Sequence, residues 1–183
     1  MGGDCLNVGC VPSKAIIRSG RAVADVREAH RFGVNVPDGV TVDFEKAMER
    51  LRKVRSRISH KDSAKRYSEE FGVDVFIGSA KFTGSDTIGV DGESLRFRKA
   101  VLSTGARAAQ LKIPGLQDTG FLNYETVFNL TELPKRLAVI GAGPIGCELA
   151  QTFQRLGSQV YMLEVMKQIL TREDSDAARV VEE

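Results

Sequence analysis

Apolar residues recur along this chain with two different periods, and the period changes at Val73. Before that point the spacing is helical. Ile16, Ile17, Val23, Ala24 and Val26 predict a helix from Lys14 to Arg31, with Pro12 suited to its first turn and Phe32-Gly33 to its stop. A turn through Pro37, Asp38 and Gly39 leads to Asp43, a good N-cap, and to a long predicted helix from Phe44 to Phe71. Met48, Leu51, Val54 and Ile58 recur there at three- and four-residue steps as a buried stripe. Arg50, Arg52, Lys53, Arg55, Arg57, Lys61, Lys65 and Arg66 then read as a solvated face rather than a nucleic-acid arm.

From Val73 the period is two. Val73–Ile77, Ala80–Thr83, Thr87–Val90 and Leu95–Phe97 are separated by Gly78, Gly84-Ser85-Asp86 and Asp91-Gly92, which are hairpin signals. They predict a three-stranded antiparallel meander, then an apolar strand Ala100–Ser103 that ends in the turn Thr104-Gly105-Ala106. Residues 108–134 are rich in Gly, Pro and Asn, with a turn at Ile113-Pro114-Gly115 and a short helix near Glu125 to Leu130. Beyond them, Arg136–Ile140 reads as a buried strand, Gly141–Gly146 as a glycine turn, Cys147–Leu156 as a helix stopped by Gly157, and Gln159–Glu164 as a second strand. The expected fold class is α/β, with doubly wound, Rossmann-like parts and an inserted antiparallel meander. Its expected segments are 1–110, a connector 111–134, and 135–183; no internal repeat or low-complexity stretch interrupts them.

At 183 residues the chain can hold one sizeable core or two small ones. It is 42% hydrophobic and 27% charged, with no apolar run near the ~18 residues of a membrane span, so a soluble globular chain is expected. A net charge of +2 gives no electrostatic case for nucleic acid or an anionic membrane. Three cysteines, and no basic-then-apolar leader, point to a reducing, cytoplasmic compartment. The chain opens directly on a glycine motif with no strand to feed it, and its last residues, Ala177–Glu183, fall inside a helical pattern. An internal piece of a longer protein, incomplete at both ends, is the expectation.

Gly141-Ala142-Gly143-Pro144-Ile145-Gly146 follows a predicted strand and opens a predicted helix, the context that makes a glycine pattern specific for dinucleotides. Gly141 would make the tight turn, Gly143 would let backbone N–H groups reach a pyrophosphate at the helix start, and Gly146 would allow helix and strand to pack closely. Glu164 ends the next strand, 18 residues past Gly146, where an acid accepts hydrogen bonds from an adenosine ribose and repels a 2′-phosphate. NAD(H) is therefore expected over NADP(H).

Cys5 and Cys10 lie within Gly2-Gly3-Asp4-Cys5-Leu6-Asn7-Val8-Gly9-Cys10-Val11-Pro12-Ser13-Lys14. Two thiols at this spacing can close a small ring, which makes a redox switch. A position just before a helix, with Lys14 near, would favour the thiolate of Cys10. A structural disulfide is the plain alternative. A zinc site needs two further ligands, and Cys147, His30 and His60 are at no paired spacing, so no metal site is expected. Cys147, inside the helix after the glycine turn, reads as a small buried hydrophobe.

The run Gly2–Lys14 resembles the redox-active site of the flavoprotein pyridine nucleotide-disulfide oxidoreductases, the family of dihydrolipoyl dehydrogenase, glutathione reductase and mercuric reductase. Ser103-Thr104-Gly105-Ala106 resembles its second FAD-contacting strand end, and Gly141–Glu164 its NAD(P)H fingerprint, including Ile145. The resemblance implies electron flow from NADH to FAD and on to the disulfide. It implies Cys10 beside the flavin, Cys5 as the interchange thiol, and Lys14 near the flavin N5, paired with Glu148. It also implies FAD contacts from Gly2, Gly3, Thr104 and Gly105. A small-molecule or protein-bound disulfide would be the substrate and a homodimer the full-length assembly, with no nucleic-acid or membrane partner.

Gly146 and Glu164 look more like dihydrolipoyl dehydrogenases than glutathione reductases, and Pro144 stands where the latter have a flavin-shielding tyrosine. Asp4 stands where many members have threonine, and with Arg172-Glu173-Asp174 it is similar to sequences called mercuric reductase-like. The family's first FAD βαβ unit would precede Met1, and its dimerisation domain, with the His-Glu acid/base pair, would follow Glu183. Neither His30 nor His60 matches that pair, so the chain alone is expected to be inactive. A non-catalytic nucleotide- or metal-binding module is the alternative of another class.

Overall fold

The computed structural model describes residues 2–109 and 111–183. Among the described residues, seven helices and five strands follow one another as α1 (Gly3–Asn7), α2 (Cys10–Glu28), α3 (Phe44–Ser59), α4 (Ala64–Phe71), β1 (Ala80–Phe82), β2 (Thr87–Val90), β3 (Glu93–Arg96), α5 (Leu116–Thr119), β4 (Arg136–Ile140), α6 (Pro144–Leu156), β5 (Gln159–Leu163) and α7 (Ser175–Glu182). Short 3-10 turns add Ala29–Phe32, His60–Asp62 and Val127–Asn129.

The long helix expected over 44–71 is two helices. Asp43 caps α3 as expected, its side chain accepting from the Lys46 N–H (3.0 Å). Ser63, with extended backbone, then opens α4 by accepting from the Arg66 N–H (3.2 Å). A serine there offers the chain a cap in place of another helical turn, and no Gly or Pro between 44 and 71 marks the break in the sequence. The helix expected near Glu125–Leu130 is only the 3-10 turn Val127–Asn129.

The meander forms from β1, β2 and β3, with Ala80↔Val90 and Val90↔Glu93 among its pairs. Asp91 (φ 46) and Gly92 (φ 99) make the two-residue left-handed turn that such a hairpin needs. Val73–Ile77 and Ala100–Ser103, expected as strands, are irregular. A strand is a paired state, and among the described residues no strand pairs with either one; Val101 and Leu102 are 88% and 73% exposed.

β4 and β5 pair in parallel, Arg136↔Gln159 through Ile140↔Leu163, with α6 as the crossover. Each strand alternates between exposed and half-buried positions. The buried strand expected at 136–140 therefore has one open face, carrying Ile140 and, from β5, Tyr161 and Leu163. The other face packs Leu137 and Val160 onto the core. That core joins Ala15 and Ile16 of α2, Phe44, Met48 and Leu51 of α3, Val127 and Phe128 of the connector, and Phe153 and Leu156 of α6. It thus draws on all three expected segments and holds α2 between α3 and α6.

Candidate active site

Two glycines with left-handed backbone, Gly2 (φ 93) and Gly3 (φ 55), swing the chain into α1, and Leu6, 3% exposed, pins that single turn to the protein. Cys5 is exposed on α1, a helix the sequence reading did not anticipate. Cys10, expected just ahead of a helix, is instead the first residue of α2 and is also exposed. Both are free thiols, and they meet: a hydrogen bond with the Cys10 side chain, reinforced by burial and opposed by the Cys10 N–H, holds the Cys5 thiol above its ordinary range. The Asp62 charge adds weakly in the same direction. Such a pair can lose two electrons and two protons and close an S–S bond.

The segment is braced from α3. Arg55 donates to the Asn7 carbonyl at the end of α1 (3.1 Å), and Arg50 donates to the Ala15 carbonyl of α2 (2.9 Å). These two arginines were expected on the solvated face. They flank the stripe residues Leu51 and Val54, and that adjacency was the available signal.

Lys14, one turn into α2, reaches Glu148 of α6, with Nζ 2.6 and 2.7 Å from the two carboxylate oxygens. The helices approach closely because Gly20 of α2 lies against Thr152 of α6. Thr152 donates to the Glu148 carbonyl (2.7 Å). The expected Lys14–Glu148 pair is therefore formed, and it links the dithiol helix to the helix of the glycine turn.

The turn Thr104-Gly105-Ala106 is exposed irregular chain, brought to the dithiol by Asp4, whose Oδ2 accepts from the Ala106 N–H (3.0 Å). Tyr124 donates its hydroxyl to the Ala106 carbonyl (3.1 Å). Neither contact was anticipated; Asp4 stood out in the sequence only as a departure from threonine, and Tyr124 not at all.

At the glycine turn, Gly141 has φ 100, and a side chain at Gly146 would strike the Gly141 carbonyl oxygen. A Cβ at Gly143 would meet nothing within 4 Å, and no side chain caps α6. An exposed, uncapped helix start facing open space is a ready anion site, where Gly143 and the exposed Ile145 were expected. Glu164 accepts from the N–H groups of Ala142 (2.7 Å), Val165 (2.8 Å) and Met166 (3.0 Å), and these bonds hold its carboxyl below the usual range. Cys147, half-buried, donates to the Ala142 carbonyl (3.4 Å), and burial pushes its thiol up. It takes no part in the dithiol. No group of three or more His, Cys, Asp or Glu side chains among the described residues is placed to hold a metal. No helix among them is long and apolar enough to cross a membrane.

The chain thus joins a pair of thiols at a helix start to a dinucleotide-type βαβ turn. The family model for pyridine nucleotide-disulphide oxidoreductases matches residues 1–183, and the chain belongs to that family. It is 32% identical over 182 residues to a mercuric reductase of Lysinibacillus sphaericus, covering 100% of this chain and 33% of that protein. It is 30% identical over 188 residues to a dihydrolipoyl dehydrogenase of Bacillus subtilis, covering 100% of this chain and 41% of that protein. The HOCl-induced flavoprotein disulfide reductase RclA of Escherichia coli matches in structure with a TM-score of 0.78 at 28% identity, over 99% of this chain and 38% of that one. The mixed α/β architecture is thus that of the family's nucleotide-binding fold. The chain spans about a third to two fifths of the length of these relatives.

Proposed function

We propose that this protein is an FAD-dependent oxidoreductase that moves electrons between NAD(H) and a reversible Cys5–Cys10 disulfide, most like dihydrolipoyl dehydrogenase. The observation that carries the reading is the bidentate Lys14–Glu148 pair, which ties the dithiol helix to the nucleotide-turn helix across 134 positions. The residues present fit a flavin. Gly2-Gly3 lead into α1, Asp4 of α1 holds the turn Thr104–Ala106, and the exposed Cys10 lies one helical turn before Lys14. When bound, FAD would supply a relay for two electrons between nicotinamide and disulfide. The chain's own residues do the rest: Gly141, Gly143, Ile145 and Gly146 form the pyrophosphate turn, Glu164 favours a free ribose, and Lys14 is held in place by Glu148. Cys10 lies at the positive start of α2, and Cys5, on the separate α1, is the thiol free to meet a disulfide substrate.

Residues 1–110 would belong to the flavin part, 135–183 to the start of the nucleotide part, and 111–134 to the link between them, within a cytoplasmic homodimer. A mercuric reductase-like activity is the second reading, supported by a relative of that name at 32% identity. Anaerobic reduction of the full-length protein with NADH tests the proposal. Bound flavin, two thiols appearing per chain, and a long-wavelength flavin–thiolate band lost on Cys10→Ser are expected; a flavin-free protein whose thiols ignore NADH refutes it. Turnover with a lipoamide-type disulfide against mercuric ion separates the two substrates.

A further inference from the structure

We propose that Asp4 and Tyr124 are positioning residues that clamp the backbone of Ala106 from both sides, fixing the turn Thr104–Ala106 against the helix that carries Cys5. The backbone of one residue is gripped twice: its N–H by Asp4 Oδ2 (3.0 Å) and its carbonyl by the Tyr124 hydroxyl (3.1 Å). The grips come from 102 and 18 positions away. Among the described residues, 98–109 belong to no helix or strand and make no backbone–backbone hydrogen bonds. With no ladder to hold it, this stretch is tied to the rest of the protein by those two side chains and by an ion pair from Arg107 to Glu125 (3.9 Å).

The fit is close. Gly105 has φ 76, and a Cβ there would lie 2.9 Å from Asp4 Oδ2, so the carboxylate lies directly against the turn. Each grip has a firm base. Asp4 adjoins Cys5 on α1, which Leu6 anchors, and Tyr124 precedes Val127 and Phe128 of the core by three and four positions. Asn123 accepts from the N–H groups of Glu125 (2.9 Å) and Thr126 (3.2 Å) and fixes the chain on either side of Tyr124. Burial first, then the Glu125 and Asp4 charges, keep the Tyr124 hydroxyl protonated beyond its ordinary range, so it stays a donor. The clamp thus runs from Cys5 through the turn to the core.

Its role in the reaction rests on the function proposed above; the clamp itself does not. The test compares Asp4→Ala, Asp4→Asn and Tyr124→Phe in the protein as isolated, by amide exchange at Ala106, alkylation of Cys5 in the reduced state, and the flavin–thiolate band. Loss of one hydrogen bond, charge-assisted for Asp4, should speed Ala106 exchange about tenfold in D4A and Y124F. Cys5 alkylation should change about threefold or more in D4A as α1 loosens. The band should weaken in D4A, and D4N, which keeps an acceptor oxygen, should restore all three signals. Unchanged Ala106 exchange in D4A and Y124F overturns the clamp; altered exchange with an unaltered band and alkylation rate overturns its positioning role. If the unsubstituted protein shows no band, the flavoenzyme reading fails while exchange and alkylation still decide the clamp.

Discussion

Lys14 and Glu148 form a bidentate ion pair, 2.6 and 2.7 Å, between two helices that the chain visits 134 positions apart. Their side chains are 61% and 43% exposed, and pairs so open to water contribute about 0–1 kcal/mol. Stability is thus a weak reason for the pair; under the function proposed above, holding the Lys14 ammonium where the dithiol helix crosses the nucleotide-turn helix is a stronger one. Lys14→Met and Glu148→Gln should each change unfolding free energy by less than about 1 kcal/mol. Both should slow NADH-dependent reduction of the Cys5–Cys10 pair by roughly a hundredfold, as expected for a misplaced active-site group. Equal losses in stability and rate would assign the pair to the scaffold.

The hydrogen bond between the Cys5 and Cys10 side chains sets a second expectation. A thiol held above its ordinary range is protonated in the folded protein, so alkylation of Cys5 should stay slow near pH of about 8.5, where a free thiol is half ionised. The sign for stability follows. This contribution is whole below the unfolded thiol's value and is lost as pH rises through the higher folded value. Cys10→Ala removes the first cause of the shift and should move the alkylation profile back toward lower pH. An identical profile in C10A would show that the partner thiol does not govern Cys5.

Glu164 behaves in the opposite sense. Its folded value is depressed by N–H donors from Ala142, Met166 and Val165, so its contribution is present above about 4.3, the free carboxyl value, and is lost as pH falls through the lower folded value. Amide protection at Ala142 and Met166 should therefore survive at that pH and disappear only below it. Glu164→Ala should abolish the protection. It should also narrow the ratio of NADH to NADPH affinity by about tenfold, because a like charge beside a 2′-phosphate is removed. A ratio that stays put would leave the carboxylate as a loop tether alone.

The legible parts of the sequence were those in which a local rule and a tertiary need coincide. The glycine turn was readable because the left-handed φ of Gly141 and the contact at Gly146 belong to six consecutive residues. Asp43 was readable because a cap needs only its own first turn. The Lys14–Glu148 pair came from family resemblance and not from spacing, since nothing local couples residues 134 apart. Ser63 was missed because no Gly or Pro interrupts residues 44–71, and Ala100–Ser103 was misread because an apolar run becomes a strand only beside a partner. Asp4 and Tyr124 were out of reach for the same reason: their shared target is the backbone of one residue, which leaves no mark on composition.

The approach of α2 to α6 gives the last prediction. A Cβ on Gly20 would lie 3.3 Å from Thr152 Cγ2 and 3.4 Å from the Thr152 carbonyl oxygen. In an open helix, Gly→Ala gains about 1 kcal/mol of propensity. Here Thr152 is 3% exposed and its hydroxyl is held by the Glu148 carbonyl, so it has little room to yield, and overpacking costs about 1–3 kcal/mol. Gly20→Ala should therefore destabilise the protein by about 1 kcal/mol. Displacement of Thr152 would pass to Glu148 and loosen its hold on Lys14. Thr152→Ser deletes the methyl group but keeps the hydroxyl, so G20A/T152S should regain most of the loss, measured by denaturant unfolding in a double-mutant cycle. Additive effects would mean that the backbone at Thr152, not its methyl, limits the crossing.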